Sequence, residues 1–102
     1  MRVIILLKPT NKRGTKTAYT KFRNRLAENG FIMVAPELYM RVVASRKAAG
    51  RARNHVKEWL PETGTVVFMT MTERQWNKIE YLVGERSLQE RVIGSSCHII
   101  IG

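Results

Sequence analysis

The spacing of apolar positions predicts a strand and then a helix in the first third of the chain. Arg2 to Lys8 is a run of β-branched residues and leucines that predicts a buried strand, which Pro9 ends. Lys16 to Glu28 carries apolar residues at spacing i, i+3 and i+7, which predicts an amphipathic helix. Asn29-Gly30 follows this segment and is typical of a helix C-terminus.

The middle of the chain predicts an extended segment, a second helix and a third strand. Phe31 to Val43 predicts an extended segment: Phe31 and Met33 fall on one alternation, Leu38, Met40 and Val42 on the next, and the phase changes at Ala35-Pro36. Because proline cannot donate to a ladder, this segment is expected to be an edge strand or to contain a bulge. Ser45 to Leu60 predicts a helix with its bases largely opposite its apolar stripe, and Thr65 to Met71 predicts a strand.

The last third of the chain predicts shorter elements. Thr72 followed by Gln75 has the spacing of a capping box, which predicts a short helical turn carrying Trp76. Ile79 to Val83 predicts a fourth strand, and Cys97 to Ile101 predicts a short final strand.

These elements follow the order βαββαβ with a C-terminal extension, which favours an α+β fold. The expected architecture is a four-stranded antiparallel sheet covered by two helices on one face. Strands this apolar are not expected to face water on the other side, so we expect a second copy to stack there, sheet on sheet. A chain of 102 residues is one domain, with residues 1 to 84 as its body. Residues 85 to 102 are an extension expected to contribute to dimer or partner contacts.

Charge indicates the class of partner. Eighteen Lys and Arg face eight acids, for a net charge of +10 and a pI near 10.5. Residues 1 to 27 contain eight bases and no acid, and residues 38 to 57 contain six bases and no acid. From residue 58 onward six glutamates outnumber the bases. This segregation favours one surface for a polyanion and another for a protein partner, although a merely solvated basic surface is the alternative.

Two groups of bases are candidate nucleic-acid contacts. Lys12, Arg13 and Lys16 lie in and just after a glycine-containing loop that leads to a helix N-terminus, where backbone N–H groups favour phosphate. Arg46, Lys47 and Arg51 lie on the predicted second helix. The second group either tracks a phosphate backbone or forms the wet face of the helix.

Several other classes of site find no support. One cysteine, Cys97, cannot form an internal disulfide and fits a reducing compartment, with the cytoplasm as the default. The longest apolar runs are far shorter than the ~20 residues of a membrane span, and no signal peptide is recognisable at Met1. Neither His55 nor the pair Cys97-His98 has the partners of a nucleophilic or zinc site.

A series of short motifs resembles the small CRISPR-associated adaptation protein Cas-two. The series runs in register over roughly residues 1 to 84, and it is most similar to the subgroup found beside large single-effector nucleases. Its members are Tyr19-x-x-Phe22-Arg23-x-x-Leu26, Asn29-Gly30-Phe31-Ile32-Met33, Leu38-Tyr39-x-Arg41, Leu60-Pro61-x-x-Gly64-x-Val66 and Thr72-Glu73-x-Gln75.

The resemblance implies a ferredoxin-like βαββαβ fold and a two-fold dimer whose last strand crosses to the other subunit. It also implies a scaffold role between two dimers of the CRISPR integrase Cas-one, where new spacer DNA is captured. The implied partners are double-stranded DNA, a second copy of the chain and the integrase. Charge asymmetry makes Glu80, Glu85 and Glu90 the candidates for the integrase contact.

The chain departs from this family where the family carries its metal-binding Asp. Aligned on Pro9, Leu7 stands at the position of that Asp and Lys8 follows it. All eight acids are glutamates, and the nearest candidate in sequence is Glu28. Magnesium chemistry at phosphate needs carboxylate oxygens in the right place, so no metal site and no cofactor is predicted. Ala35-Pro36-Glu37 is a second departure.

The sequence therefore predicts a non-catalytic, sequence-independent duplex-DNA-binding scaffold of a CRISPR spacer-acquisition complex. The alternative is a metal-dependent endonuclease of the same family, which would use magnesium on DNA or RNA. A further alternative is a small RNA-binding or ribosomal protein, which shares the size, the pI and the fold class. No aromatic pair typical of RNA recognition lies on a central strand, which counts against that alternative.

Overall fold

The computed structural model describes residues 1–11 and 13–84, which form a single sheet with three helices. The predicted start of the first helix and the ends of the second helix differ from the observed bounds by one to three residues, as expected where helix ends fray. The elements are β1 (Arg2–Lys8), α1 (Thr15–Glu28), β2 (Ile32–Ala35), β3 (Leu38–Val42), α2 (Arg46–Lys57), β4 (Thr65–Met71) and α3 (Glu73–Asn77).

The sheet has the strand order β2-β3-β1-β4, and every neighbouring pair is antiparallel. Strand β1 is central: Ile5 lies opposite Tyr39 of β3 and opposite Phe68 of β4. Together with the element order, this confirms the predicted α+β, ferredoxin-like architecture.

Helices α1 and α2 cover one face of the sheet and bury the main core there. Alternate residues of β1 contribute to this core because successive side chains of a strand point to opposite faces. The helices meet them with positions on one stripe each. The buried cluster includes Val3, Ile5 and Leu7 from β1, Tyr19, Phe22 and Leu26 from α1, and Ala49, Ala52 and Val56 from α2.

The segment 31–43 forms a hairpin of two strands. Strand β2 is at the edge of the sheet, and the pairing with β3 is irregular between Met33 and Ala35. Glu37 takes a positive φ of 61° in the connecting turn, which is uncommon for a residue with a side chain. The change of phase at Ala35-Pro36 therefore marks the end of one strand and a reversal of the chain.

The prediction of a fourth strand at residues 79–83 is wrong. The hairpin supplies the second and third strands, so β4 already completes a four-stranded sheet. Ile79 packs instead against the second face of the sheet, and Leu82 and Val83 are 90% and 94% exposed. The predicted strand at 97–101 lies outside the described residues.

A buried arginine organises one end of the second sheet face. Arg2 is 1% exposed, and its Nε and Nη2 donate to the Glu73 carboxylate at 2.9 Å and 3.0 Å. The Arg2 guanidinium carbon also lies 4.9 Å from the ring centroid of Trp76, which is buried with Ile4 and Met40. Helix α3 therefore covers this corner, and the capping box of Thr72 and Gln75 that the sequence predicts is present at its N-terminus.

Replacing Glu73 with glutamine is expected to destabilise the fold by about 2 kcal/mol, since it removes the bidentate carboxylate from a buried guanidinium. The cost is about 3–5 kcal/mol for a fully buried pair, and Glu73 is half exposed. Hydrogen bonds from Arg2 lower the pKa of the Glu73 carboxyl, so this stabilisation is present above the unfolded pKa of about 4.3. It is lost as pH falls through the folded value.

Urea unfolding of the wild type and of Glu73→Gln at pH 7, repeated toward about pH 3, measures this difference. The exposed Glu62→Gln is the matched control, and we expect it to change stability by less than about 0.5 kcal/mol. A difference for Glu73→Gln that stays constant with pH would contradict the role of the ion pair.

The rest of the second sheet face is apolar and open. Leu6 lies opposite both Val67 and Leu38, and Arg2 lies opposite Val42, so these side chains share one face with Met69. Leu6, Val42, Val67 and Met69 are 36–45% exposed. Leu6 and Val42 lie on the two central strands, where large apolar side chains are normally buried, so this face has the character of a contact surface.

Candidate nucleic-acid interface

The start of α1 offers backbone donors and bases together. Gly14 caps the helix at a positive φ of 85° and without a side-chain hydrogen bond, and the first turn contains no acid. Arg13 and Lys16 are both exposed beside it. The first N–H groups of a helix have no intrahelical partner and carry its positive dipole end, so this end favours an anion. The predicted contact Lys12 lies outside the described residues.

Hydrogen bonds tie this loop to the connection between α2 and β4. The Thr15 hydroxyl lies 3.1 Å from the Thr63 hydroxyl, and the Tyr19 hydroxyl donates to the Thr63 carbonyl oxygen at 2.7 Å. Thr15 and Tyr19 are buried and Thr63 is half-buried, so both links are partly shielded from water. The position of Arg13 and Lys16 therefore depends on contacts with a distant part of the chain.

Helix α2 presents its bases on a continuous exposed surface. The Ser45 hydroxyl accepts a hydrogen bond from the Ala48 N–H and caps the helix. Its buried stripe is apolar, and the remaining positions include five Lys and Arg residues and no acid. The exposed cations are the predicted Arg46, Lys47 and Arg51 and, in addition, Arg53 and Lys57.

None of these five α2 cations forms an ion pair with any of residues 1–11 or 13–84. Arg46 and Lys47 lie in the first turn, where positive charge opposes the helix dipole. An anion bound at this surface would relieve both the mutual repulsion of the cations and the dipole cost.

The structure places the two predicted groups on the same side of the sheet but not in one cluster. Both helices pack on the same sheet face, so their outer surfaces point away from it together. Helix α2 has 12 residues and is about 18 Å long, and Thr63 follows it. Arg46 and Lys47 therefore lie at the far end of α2 from the connection that holds Arg13 and Lys16. The arrangement is an extended basic surface, suited to several phosphates in a row.

Leu7 occupies the place of the missing family Asp and belongs to the core. Its side chain is 3% exposed, and its N–H donates to the Glu37 carbonyl oxygen at 2.9 Å. The sequence pointed to Glu28 as the nearest acid, but Glu28 is exposed at the end of α1, and the acid whose backbone contacts Leu7 is Glu37. No local pattern indicates this contact, because it joins β1 to the turn after β2.

The carboxylate of Glu37 is already bound by Arg23. The Arg23 Nε donates to Glu37 Oε1 at 3.0 Å, and Arg23 Nη2 donates to Oε2. The hydrogen bond to Glu37 is the largest cause of a raised pKa of the Arg23 guanidinium. A cation at this position would have to compete with a guanidinium that stays charged.

The residues at this strand end do not fit the magnesium ion that the resemblance implies for a nuclease. The Leu7 side chain has no oxygen and faces the core, and the adjacent Lys8 adds positive charge. The oxygens of Glu37 are engaged by Arg23. Across the described part of the chain, no three His, Cys, Asp or Glu side chains come together as metal ligands.

Glu80 lies at a different place, beside a cleft on the second sheet face. The cleft has a volume of about 290 Å³ and an apolar lining that includes Trp76, Ile79 and Tyr81. Glu80 itself is exposed. Glu85 and Glu90 lie outside the described residues, and the contact of these three with the integrase stays a prediction.

Comparison with known proteins identifies the family. No model of a protein family matches the chain. A curated relative from Ligilactobacillus salivarius, named CRISPR-associated endoribonuclease Cas2, is 32% identical over 92 residues, which is 89% of this chain and 91% of the relative. The chain belongs to the Cas2 family. A Cas2 from Streptococcus mutans is 34% identical over 84% of this chain and 80% of its own, and one from Parvibaculum lavamentivorans is 36% identical over 76% and 77%.

These relatives confirm the family that the short motifs indicate. The matches extend over most of the chain, as the series of motifs over residues 1 to 84 predicts. Within the described residues, no helix is both long enough and apolar enough to cross a membrane.

Proposed function

We propose that the chain is a non-catalytic scaffold of a CRISPR spacer-acquisition complex that binds duplex DNA without reading its sequence. The observation that carries this proposal is the row of exposed cations on α2, which have no ion-pair partner among residues 1–11 and 13–84. Lys and Arg contacts to phosphates position a protein on a duplex but carry no base information. In this role the chain bridges two dimers of the CRISPR integrase. We also propose that it belongs to the subgroup found beside large single-effector nucleases, which its motifs resemble most.

The open sheet face supports a dimer as the unit that bridges. Leu6 of the central strand β1 and Met69 of the edge strand β4 are 40% and 41% exposed on one apolar face, which a second copy would cover. A dimer also presents two basic surfaces, one from each subunit. Sedimentation equilibrium is expected to show a dimer that Leu6→Lys with Met69→Lys converts to a monomer. The exposed Asn24→Lys is the control and is expected to remain dimeric. A monomeric wild type would contradict the dimer.

The salt dependence of duplex binding tests the DNA-binding proposal. If Arg13, Lys16, Arg46, Lys47 and Arg51 each contact one phosphate, log affinity falls with log salt at about −4.5 per subunit. Fluorescence anisotropy with mixed-sequence duplexes of one length, between about 50 and 200 mM salt, measures this slope. Two unrelated sequences are expected to bind equally. Absence of binding at the lowest salt, or an affinity that does not change with salt, would reject the proposal.

A metal-dependent endonuclease is the second candidate, favoured by the name of the relatives, which are called endoribonucleases. The buried Leu7 and the engaged Glu37 count against it. Labelled RNA and DNA incubated with magnesium, manganese or a chelator separate the two candidates. Metal-dependent cleavage activity that stays with the protein through purification would favour the enzyme. Intact substrates together with salt-dependent binding would favour the scaffold.

A further inference from the structure

Gly50 stands in the middle of α2 without a structural reason. Four of the five glycines among the described residues take a positive φ, which a side chain disfavours, and Gly50 does not. Among residues 1–11 and 13–84, a Cβ added at Gly50 would meet no atom within 4 Å. Glycine is the poorest helix former after proline, so at this position it weakens the helix and neither packing nor backbone geometry requires it.

The neighbours of Gly50 on the helix surface are all hydrogen-bond donors. Residues three and four positions away are adjacent on a helix, with Cβ atoms about 5–6 Å apart. These positions hold Arg46, Lys47, Arg53 and Asn54, and all four are exposed. The three cations among them have no ion-pair partner within the described ranges. Gly50 is therefore a gap in the side-chain layer, surrounded by charged and amide donors.

We propose that the phosphate backbone of the bound duplex crosses α2 at Gly50. This inference rests on the proposed DNA-binding function and names its point of closest approach. The missing side chain lets a phosphate lie against the helix surface, where Arg46, Lys47, Arg53 and Asn54 donate to its oxygens from several sides. A close approach of backbone to ligand is a common reason for glycine where the fold does not need it.

Charge and chemistry favour a phosphate backbone over an acidic protein as the occupant. A phosphate presents oxygens in several directions, so it can accept from donors on all sides of one gap. The basic surface of α2 also continues through Arg51 and Lys57, which suits the repeating row of charges along a phosphate backbone. Poly-glutamate serves as the competing occupant in the test.

Filling the gap separates binding from folding. Gly50→Ala is expected to raise the melting temperature by about 4–8 °C, because alanine favours the helix. The same change is expected to weaken duplex binding, and Gly50→Leu to weaken it by about tenfold, the loss of about one charge-assisted hydrogen bond. Gly50→Leu is also expected to lower the salt slope by about 0.9. Ala27→Leu adds bulk at an exposed position of α1 and is the matched control.

The outcomes distinguish this inference from the proposed function. If the wild type fails to bind a duplex, the proposed function fails. If the wild type binds with the expected salt slope while Gly50→Ala and Gly50→Leu bind equally well, the crossing point is wrong and the scaffold stands. The inference would also be overturned if Ala27→Leu weakened duplex binding as much as the Gly50 variants do. The same holds if the Gly50 variants weakened only the binding of poly-glutamate. A variant that is more stable and binds less tightly supports it.

Discussion

Gly64→Ala is expected to destabilise the fold by about 3–5 kcal/mol, a large part of the 5–15 kcal/mol that is usual for a domain. Gly64 takes a φ of 86°, where a side chain costs about 1–2 kcal/mol. An added Cβ would also collide with the Tyr19 hydroxyl and lie 2.7 Å from the Lys8 carbonyl oxygen. The Lys8 oxygen belongs to the backbone of the central strand, so it cannot move aside cheaply.

The collision also removes the hydrogen bond that anchors the first loop. The Tyr19 hydroxyl donates to the Thr63 carbonyl oxygen beside Gly64, and burial of Tyr19 raises the pKa of that hydroxyl, which keeps it protonated as a donor. Moving Tyr19 breaks this bond and loosens the connection that holds the start of α1. Arg13 and Lys16 would lose their fixed position as a result.

Gly14→Ala is the matched control for this prediction. Gly14 has nearly the same φ, 85°, but a Cβ there meets no atom within 4 Å in the part of the chain that the structure describes. Its substitution should therefore cost only the backbone term, about 1–2 kcal/mol. Urea unfolding measures the free energy of unfolding of both variants from the midpoint of the transition, at an unchanged m-value. If Gly64→Ala cost no more than Gly14→Ala, the steric role of Gly64 would be wrong.

Replacing Arg46, Lys47 and Arg51 together with alanine is expected to weaken duplex binding by about 100-fold near 150 mM salt. Each phosphate contact contributes about 0.9 to the slope of log affinity against log salt, so the slope should fall by about 2.7. The three side chains are exposed, and alanine favours a helix, so folding should not suffer. Arg13→Ala with Lys16→Ala should lower the slope by about 1.8.

A charge-matched control distinguishes a binding surface from net charge alone. Arg25, Arg74 and Lys78 are exposed bases outside the proposed surface, and their replacement by alanine removes the same charge. Anisotropy titrations at several salt concentrations measure the slope of log affinity against log salt for every variant. Circular dichroism checks that each variant is folded. If this control lowered the slope as much as the α2 variant, the cations of α2 would act only through the total charge.

Local chemistry explains which elements were predictable. Strands β1 and β4 have the bounds that their apolar runs predict, and the capping box at Thr72 is present. Helix α1 ends at Glu28, as Asn29-Gly30 predicts. These signals depend on residues within a few positions of each other, so the sequence alone contains them.

Contacts between distant residues explain what the sequence did not predict. Whether Ile79 lies in a strand depends on which strands already form the sheet. Because the hairpin supplies both β2 and β3, the sheet has four strands without residues 79–83. The approach of Glu37 to Leu7 and the pairing of Arg2 with Glu73 join residues 30 and 71 positions apart. Neither contact has a local pattern.

The fold class, the basic surface of α2 and the absence of the family Asp follow from periodicity, charge and residue identity, which are properties of the chain alone. The packing of distant segments places Leu7 in the core and binds the Glu37 carboxylate to Arg23. It also requires Gly64 but not Gly50. Two glycines are chemically identical, and only the atoms that surround each one give it a role.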